Sequence, residues 1–425
     1  MKRPPFATPA VIAAILLLAL TSPGCAKRLR PEPTPAKLDF ARELPPGAVA
    51  LRKVSPGEWP DFGAGLREAG NVVALRVAVD HGLDYLSRPS SRAAYPYLDI
   101  THDRAVATLL AMRELLQDEA LLADPARLPA AIAQRFDVYK SVGAPAADGS
   151  GYTGKVLFTG YFTPTYEANP VRTEEYRWPL YRRPSDLVVD TGGETLGRRN
   201  AEGGIIPYFT RAEIEGGGVL AGKEIAWLKD RWEAYVVTVQ GSARLRYRTG
   251  HVDEIGYAGH NGHAYASPAM KMVEDGVIRR EDVSAETLRN YFRAHPEAMD
   301  KYLWHNPRTV FFTERPGGPF GSLNVPVTPL ATIATDKKVY PPAMPAFVDT
   351  RAVPGRAGSR GWKQFMLDQD TGGAIRAAGR CDLYIGAGEQ AEWVAGQQLS
   401  EGVLYYLAVK QELVIKYVEQ NPTVN

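Results

Sequence analysis

The sequence predicts a mainly β protein whose helices gather towards the N-terminus. Three observations lead there. Apolar residues recur at helical spacing over about 62–88, 102–118 and 126–140. Runs rich in β-branched and aromatic residues take over from about 153 to 260. Short strand-like segments between Gly and Pro turns return from about 308 to 410, the pattern of a compact β-barrel. At 425 residues the chain is too long for one small domain, and 45% hydrophobic with 23% charged residues is ordinary globular composition. A disordered chain, a fibre and a multi-span membrane protein are excluded.

The first 24 residues read as an address. Lys2 and Arg3 form a basic start, and Ala10 to Leu20 is an apolar run too short to span a bilayer but right for a signal peptide. Ser22-Pro23-Gly24-Cys25 follows and resembles the lipobox of bacterial lipoproteins, with Ser22 where that motif usually has Leu. The resemblance implies that Cys25 is acylated and anchors the chain in a membrane. Ala26 rather than Asp after the cysteine implies the outer membrane, so the expected location is an outer-membrane lipoprotein facing the periplasm of a Gram-negative envelope. Residues 25–47 hold prolines at 31, 33, 35, 45 and 46 and read as an extended tether. Residues 1–24 carry two basic and no acidic side chains, so the remainder is balanced at 48 of each sign. A neutral chain lacks the basic footprint of a nucleic-acid binder.

Residues 48–150 form the helical part, with Thr101 placed to start the second helix, and 141–151 are a Gly-, Pro- and Ala-rich break. Lys155–Phe162 and Arg231–Val239 read as strands, and 190–204 as a Gly-rich loop. Ser267-Pro268 supplies a cap and a first-turn proline for a helix ended by Gly276. Ser284 caps another, with Leu288, Tyr291 and Phe292 on one face and Pro296 as its stop. The apolar run from Leu413 to Val418 fits a helix or a strand equally.

Chemistry concentrates in three aspartates, Asp336, Asp370 and Asp382, each at or near the end of an apolar strand-like run. Period-two alternation puts Asp382 and Tyr384 on one face, and Cys381, Leu383 and Ile385 on the other, so Cys381 is expected in a core. A carboxyl in an apolar barrel wall holds its proton to higher pH and can act as a donor. Turn capping is the alternative for Asp336 and Asp370, and composition leaves both open.

The ordered motifs decide. Phe158-Thr159-Gly160-Tyr161-Phe162-Thr163-Pro164, Gln240-Gly241-Ser242, Gly256-Tyr257-Ala258-Gly259 with Asn261-Gly262-His263-Ala264-Tyr265, and Asn306-Pro307 with Val310-Phe311-Phe312 come first. Asp336, Asp370-Thr371-Gly372-Gly373 and Asp382 follow. Together they resemble the membrane-bound lytic murein transglycosylase A family, whose C-terminal part is a three-aspartate (3D) domain. Ala243 departs from the family's second Gly in the Gln-Gly-Ser block.

The resemblance implies a double-psi β-barrel built from residues 48–150 and 308–425, an inserted β-rich domain over 151–307, and a groove between them. It implies cleavage of the β-1,4 bond between N-acetylmuramic acid and N-acetylglucosamine in peptidoglycan, leaving a 1,6-anhydro ring. It assigns the acid/base role to Asp382, with Asp370 and Asp336 shaping its field. Thr159, Gly160, Tyr161, Gln240, Gly241, Ser242, Asn261, Gly262, Tyr265, Gly372, Gly373 and Tyr384 are the expected glycan contacts. No cofactor or metal is expected, since the sugar's own C6 hydroxyl attacks and one carboxyl can serve first as acid and then as base. The expected partners are peptidoglycan strands and the membrane, with room for cell-wall synthases and hydrolases.

Rival readings have identifiable signals. Asp-Thr-Gly occurs at 190–192 and 370–372, as in pepsin-like proteases, but Gly193 and Gly373 stand where those have Ser or Thr. His260 and His263 form no His-Glu-x-x-His metal motif, and a hydrogen bond within its own loop is expected of His263. A non-catalytic wall-binding lipoprotein differs from the enzyme only in making no product.

Overall fold

The structure is a computed structural model that describes residues 38–66, 69–190, 194–351 and 361–420. The signal peptide, Cys25 and the tether up to residue 37 lie outside the described residues, as do Thr191 and Gly192 of the first Asp-Thr-Gly.

The chain opens with β1 (Leu51–Val54), α1 (Ala69–Leu86), α2 (His102–Gln117), α3 (Glu119–Ala123), α4 (Leu128–Arg135), β2 (Phe136–Ser141) and β3 (Val156–Thr163). A long excursion begins with β4 (Thr165–Asn169), β5 (Trp178–Tyr181), β6 (Leu187–Val189), β7 (Thr195–Arg199), β8 (Ile205–Ile206), α5 (Arg211–Gly217) and β9 (Glu224–Leu228). It continues with α6 (Arg231–Gln240), β10 (Ser242–Arg246), β11 (Val252–His260), α7 (Pro268–Glu274), α8 (Ala285–Ala294), α9 (Met299–Leu303) and β12 (Val310–Glu314). The chain returns through β13 (Thr332–Ala334), β14 (Pro345–Thr350), β15 (Trp362–Asp370), β16 (Arg380–Ala387), α10 (Glu389–Gln397), β17 (Leu399–Val409) and α11 (Val414–Glu419).

The first and last stretches share one sheet. Strands β17, β14, β15, β13, β16 and β3 pair in that order, and β17 pairs back onto β3, closing the barrel; β2 and then β1 extend from β17. Closure demands curvature, which register shifts supply in β13 opposite β15 and between Tyr384 and Gly386 in β16. Leu404 to Val409 is buried throughout because helices cover the outside of β17. Arg104 of α2 is 1% exposed, yet its guanidinium bonds the Val409 carbonyl, Asp99 and Asp137. A buried cation is tolerated because every arm has a partner. Phe62, Phe347 and Phe365 centre this core, with Phe62 and Phe347 edge-on at 5.0 Å.

The excursion carries its own sheet, β12-β11-β10-β4-β9-β5, a smaller β6-β7-β8 sheet, and a separate core around Trp232, Phe292, Tyr302 and Phe312.

Thr101, Ser267 and Ser284 cap α2, α7 and α8 through side-chain bonds to Arg104, Met270 and Thr287 amides, as the sequence indicates. Four expectations are corrected. Residues 231–239 are helix, not strand: Asp230 accepts from the Trp232 amide at the start, and Gly241 at φ 79° closes the end. These caps and tertiary packing override the β-branched composition. The third helix stops at Arg135, because Phe136–Ser141 is claimed by β1 and β17. The first begins at Ala69, preceded by a short turn over Phe62–Leu66. The loop at 190–204 contains strand β7, paired with β6 and β8. The C-terminal run settles as the short helix α11.

Candidate active site

Asp382 lies inside the wall of the barrel. On β16 it is flanked by Thr159 of parallel β3 and Ala334 of antiparallel β13. Alternation sends Cys381 and Leu383 into the core, both fully buried, and aims Asp382 the other way. There it faces a cavity of about 570 Å³. The barrel contributes Gly160, Tyr161, Asp370, Gly372, Gly373 and Asp382 to its lining; the excursion contributes Gln240, Gly241, Ser242, Tyr265 and Arg308. The expected groove between two β-rich bodies is thus present.

The surroundings tune the carboxyl. Thr159 donates its hydroxyl to Asp382 and receives an Arg380 guanidinium bond of 3.1 Å. Burial pushes the Asp382 pKa up to about 6; Arg380 pulls it down, and Asp370 pushes it further up. Asp370 ends β15 and accepts backbone N–H bonds from Ser322 and Thr371, each 2.8 Å. Its pKa is also raised by burial, opposed by those bonds and by the phenol of Tyr161 beside it. The site is therefore a desolvated carboxyl backed by a second one, with one guanidinium held alongside through Thr159.

Gln240, at the end of α6, accepts from the Phe162 amide at 3.1 Å and ties the excursion to β3. Gly241 takes the left-handed turn into Ser242. A Cβ on Gly373 would lie 3.0 Å from the Arg308 side chain, so the arginine lies close over the loop and would have to shift slightly to admit one.

Several expected contacts fall elsewhere. Asn261 is 1% exposed; its amide donates to the Phe209 and Pro307 carbonyls and accepts from the Thr309 amide, which leaves it a clamp between loops. Gly262 shapes the same turn, giving its N–H to His260. Tyr384 is 1% exposed, with its hydroxyl on Thr163 and its ring 5.1 Å from that of Tyr161, so it packs beneath the cavity. Asp336 caps turns, accepting from the Lys338 and Ala377 amides. Thr159 does not line the cavity; it acts on Asp382 from behind. His263 bonds the Tyr208 carbonyl of a neighbouring segment, not its own loop. Asp190 closes the β6–β7 turn by accepting from the Glu194 amide and does not line the cavity, so it forms no dyad with Asp370. Among the described residues no three His, Cys, Asp or Glu side chains converge as a metal site requires.

The cavity also holds residues that no sequence pattern singled out as ligand contacts: Arg308, Arg376, Arg315, Glu194, Tyr257 and Phe320. Tyr257 belongs to the Gly256–Gly259 motif; the others stand alone in sequence, and only folding assembles them.

A closed barrel faces an inserted β-rich lobe across a cleft that holds a buried aspartate with a raised pKa. The MltA specific insert domain matches residues 157–313 and the 3D domain matches residues 331–408, together more than half of the chain. The chain belongs to the membrane-bound lytic murein transglycosylase A family. It is 30% identical over 254 residues to membrane-bound lytic murein transglycosylase A of Escherichia coli K12, a match covering 59% of this chain and 64% of that protein. The chain thus matches slightly under two thirds of that relative's length. The Vibrio cholerae protein of the same name is 28% identical, covering 62% and 68%. Among solved structures, the membrane-bound lytic murein transglycosylase from Agrobacterium tumefaciens superposes with a TM-score of 0.71 at 25% identity, covering 87% of this chain and 99% of that one. E. coli MltA with bound chitohexaose shares the fold at 23% identity and a TM-score of 0.64, covering 89% and 99%.

Proposed function

We propose that the chain is a lytic transglycosylase. It cleaves the β-1,4 bond between N-acetylmuramic acid and N-acetylglucosamine in peptidoglycan and closes a 1,6-anhydro ring. The observation that carries this reading is Asp382, a carboxyl whose proton is retained to about pH 6 in the wall of a cleft of about 570 Å³. Family membership and the names of the relatives support it.

The protonated Asp382 donates to the glycosidic oxygen as the bond to C1 breaks. Positive charge then develops at the ring, and the carboxylate just formed faces it. The C6 hydroxyl of the same sugar attacks C1, and Asp382 takes its proton, which restores the starting form. No water or protein nucleophile enters. Arg380 and Thr159 stabilise the transient carboxylate; the negative charge of the nearby Asp370 raises the Asp382 pKa and keeps the neutral form accessible. Tyr161, Tyr265, Gln240 and Ser242 are positioned to meet ring faces, hydroxyls and acetamido groups.

The chain would work at the outer membrane, held through Cys25 and facing the periplasm, where the tether reaches the wall. Purified sacculi incubated with the protein and with Asp382→Asn provide the test. Anhydro-ended disaccharide-peptides with the first protein, and none with the second, are expected. Equal product from the variant would remove Asp382 from the mechanism; no product with sacculi still bound would make the chain a wall-binding protein.

A further inference from the structure

The uncharged part of a glycan does not explain the charge in the cleft. Arg308 and Arg376 both line it. Arg308 donates to the His263 carbonyl at 3.1 Å, and Arg376 to the Gly373 carbonyl at 3.3 Å. Neither has a carboxylate within ion-pair distance among the described residues. Burial acts most strongly against the charge on Arg308 and the neighbouring Arg376 adds to it, while Tyr257 and, to a smaller extent, Glu194 act the other way. Burial and the same two guanidinium groups keep His260 neutral well below pH 6. The chain thus keeps two half-buried cations side by side over the Gly372–Gly373 turn, in the cavity of Asp382. Such an arrangement costs stability unless an anion arrives to share it. Arginine's planar fork fits a carboxylate with two parallel bonds.

We infer that Arg308 and Arg376 form a carboxylate subsite for the acidic arm of the muramoyl residue. The inference rests on the proposed substrate. N-acetylmuramic acid differs from N-acetylglucosamine by its lactyl group, whose acid is either free or extended by an acidic stem peptide. The two arginines would read that difference, so the cleft would recognise where along the strand a muramoyl unit lies. Gly373 fits the arrangement, because the Arg308 side chain lies close enough over it that a Cβ there would stand 3.0 Å from the guanidinium nitrogen Nε.

The test is calorimetric binding to the full chain carrying Asp382→Asn, which prevents turnover. Three ligands of equal length separate the sources: a neutral N-acetylglucosamine oligomer, a peptide-free murein oligosaccharide with free lactyl acids, and the same with stem peptides. One or both acidic ligands should bind about tenfold tighter than the neutral one, with a preference that weakens in salt. Tighter binding of the peptide-free form assigns the lactyl acid; tighter binding of the peptide form assigns the stem. Arg308→Gln and Arg376→Gln should each cut the ratio several-fold, and Arg308→Lys should restore part of it. A ratio near one in the protein with both arginines, or a ratio unmoved by the Gln variants, would overturn the subsite. Sacculus digestion by the unsubstituted chain is read separately, so loss of anhydro products would defeat the enzymatic reading, not the charge preference.

Discussion

At Asp382 the raised pKa bears both on the stability of the fold and on the proposed catalysis. Its donor form is present below about pH 6 and lost above it, so cleavage should fall as pH rises through that value. Arg380 favours the ionised form. Arg380→Gln should therefore move this limb to higher pH, read from kcat/KM profiles; an unmoved limb would show that Arg380 does not act on Asp382. The same shift has a stability cost. The folded pKa lies above the unfolded one near 4, so the folded state binds this proton more tightly. The resulting stabilisation is complete below about pH 4 and is lost as pH rises through about 6. Asp382→Asn, neutral at every pH, should be more thermostable than the parent at pH 7, by on the order of 1–3 kcal/mol, with the gap closing near pH 4. Asn261 behaves oppositely. All its polar atoms hold loops, so Asn261→Ala should lower the melting temperature by an amount equal to roughly 2–4 kcal/mol while KM in the remaining folded protein barely moves.

Elements explain what could be read in advance. The three caps Thr101, Ser267 and Ser284 were legible because capping is a local bond between neighbours in sequence. Strand β16 was legible because a two-residue period separates core from cavity, which put Cys381 inside and Asp382 outside. Tyr384 shows the limit: it shares the face of Asp382 by alternation, yet the bulge before Gly386 and the packing of Tyr161 bury it. Helix α6 was misread because Val236, Val237 and Val239 favour strands in isolation, although Asp230 and Gly241 already marked its ends. Gly160 turns on packing between elements: a Cβ there would lie 2.9 Å from the Ala395 backbone of α10. Gly160→Ala should push α10 away from β3 and cost about 1–3 kcal/mol in denaturant unfolding.

At the scale of the whole molecule, two separate cores allow one body to carry the acid and the other to shape the cleft. They are joined by Gln240 on the Phe162 amide, by the ion pair of Arg289 on α8 with Glu392 on α10, and by Phe162, Ala391 and Ala395, which pack into the core of the excursion. The barrel, the insert and the nearness of Asp370 to Asp382 were legible because ordered motifs run across more than half of the chain, whereas Asp336 is taken up by turns. The arginines were not, because Arg308 and Arg376 lie far apart in sequence and meet only over the Gly372–Gly373 turn. In the proposed reaction the sugar's own hydroxyl, and not water, completes the cleavage in this cleft. Digestion of sacculi in heavy-oxygen water, followed by mass spectrometry of the released disaccharide-peptides, tests it most directly. Products lighter by one water than hydrolysis would give, with no heavy oxygen at C1, are expected. Reducing ends carrying the label would contradict it and would require a second carboxylate, with Asp370 the first to examine, to activate water.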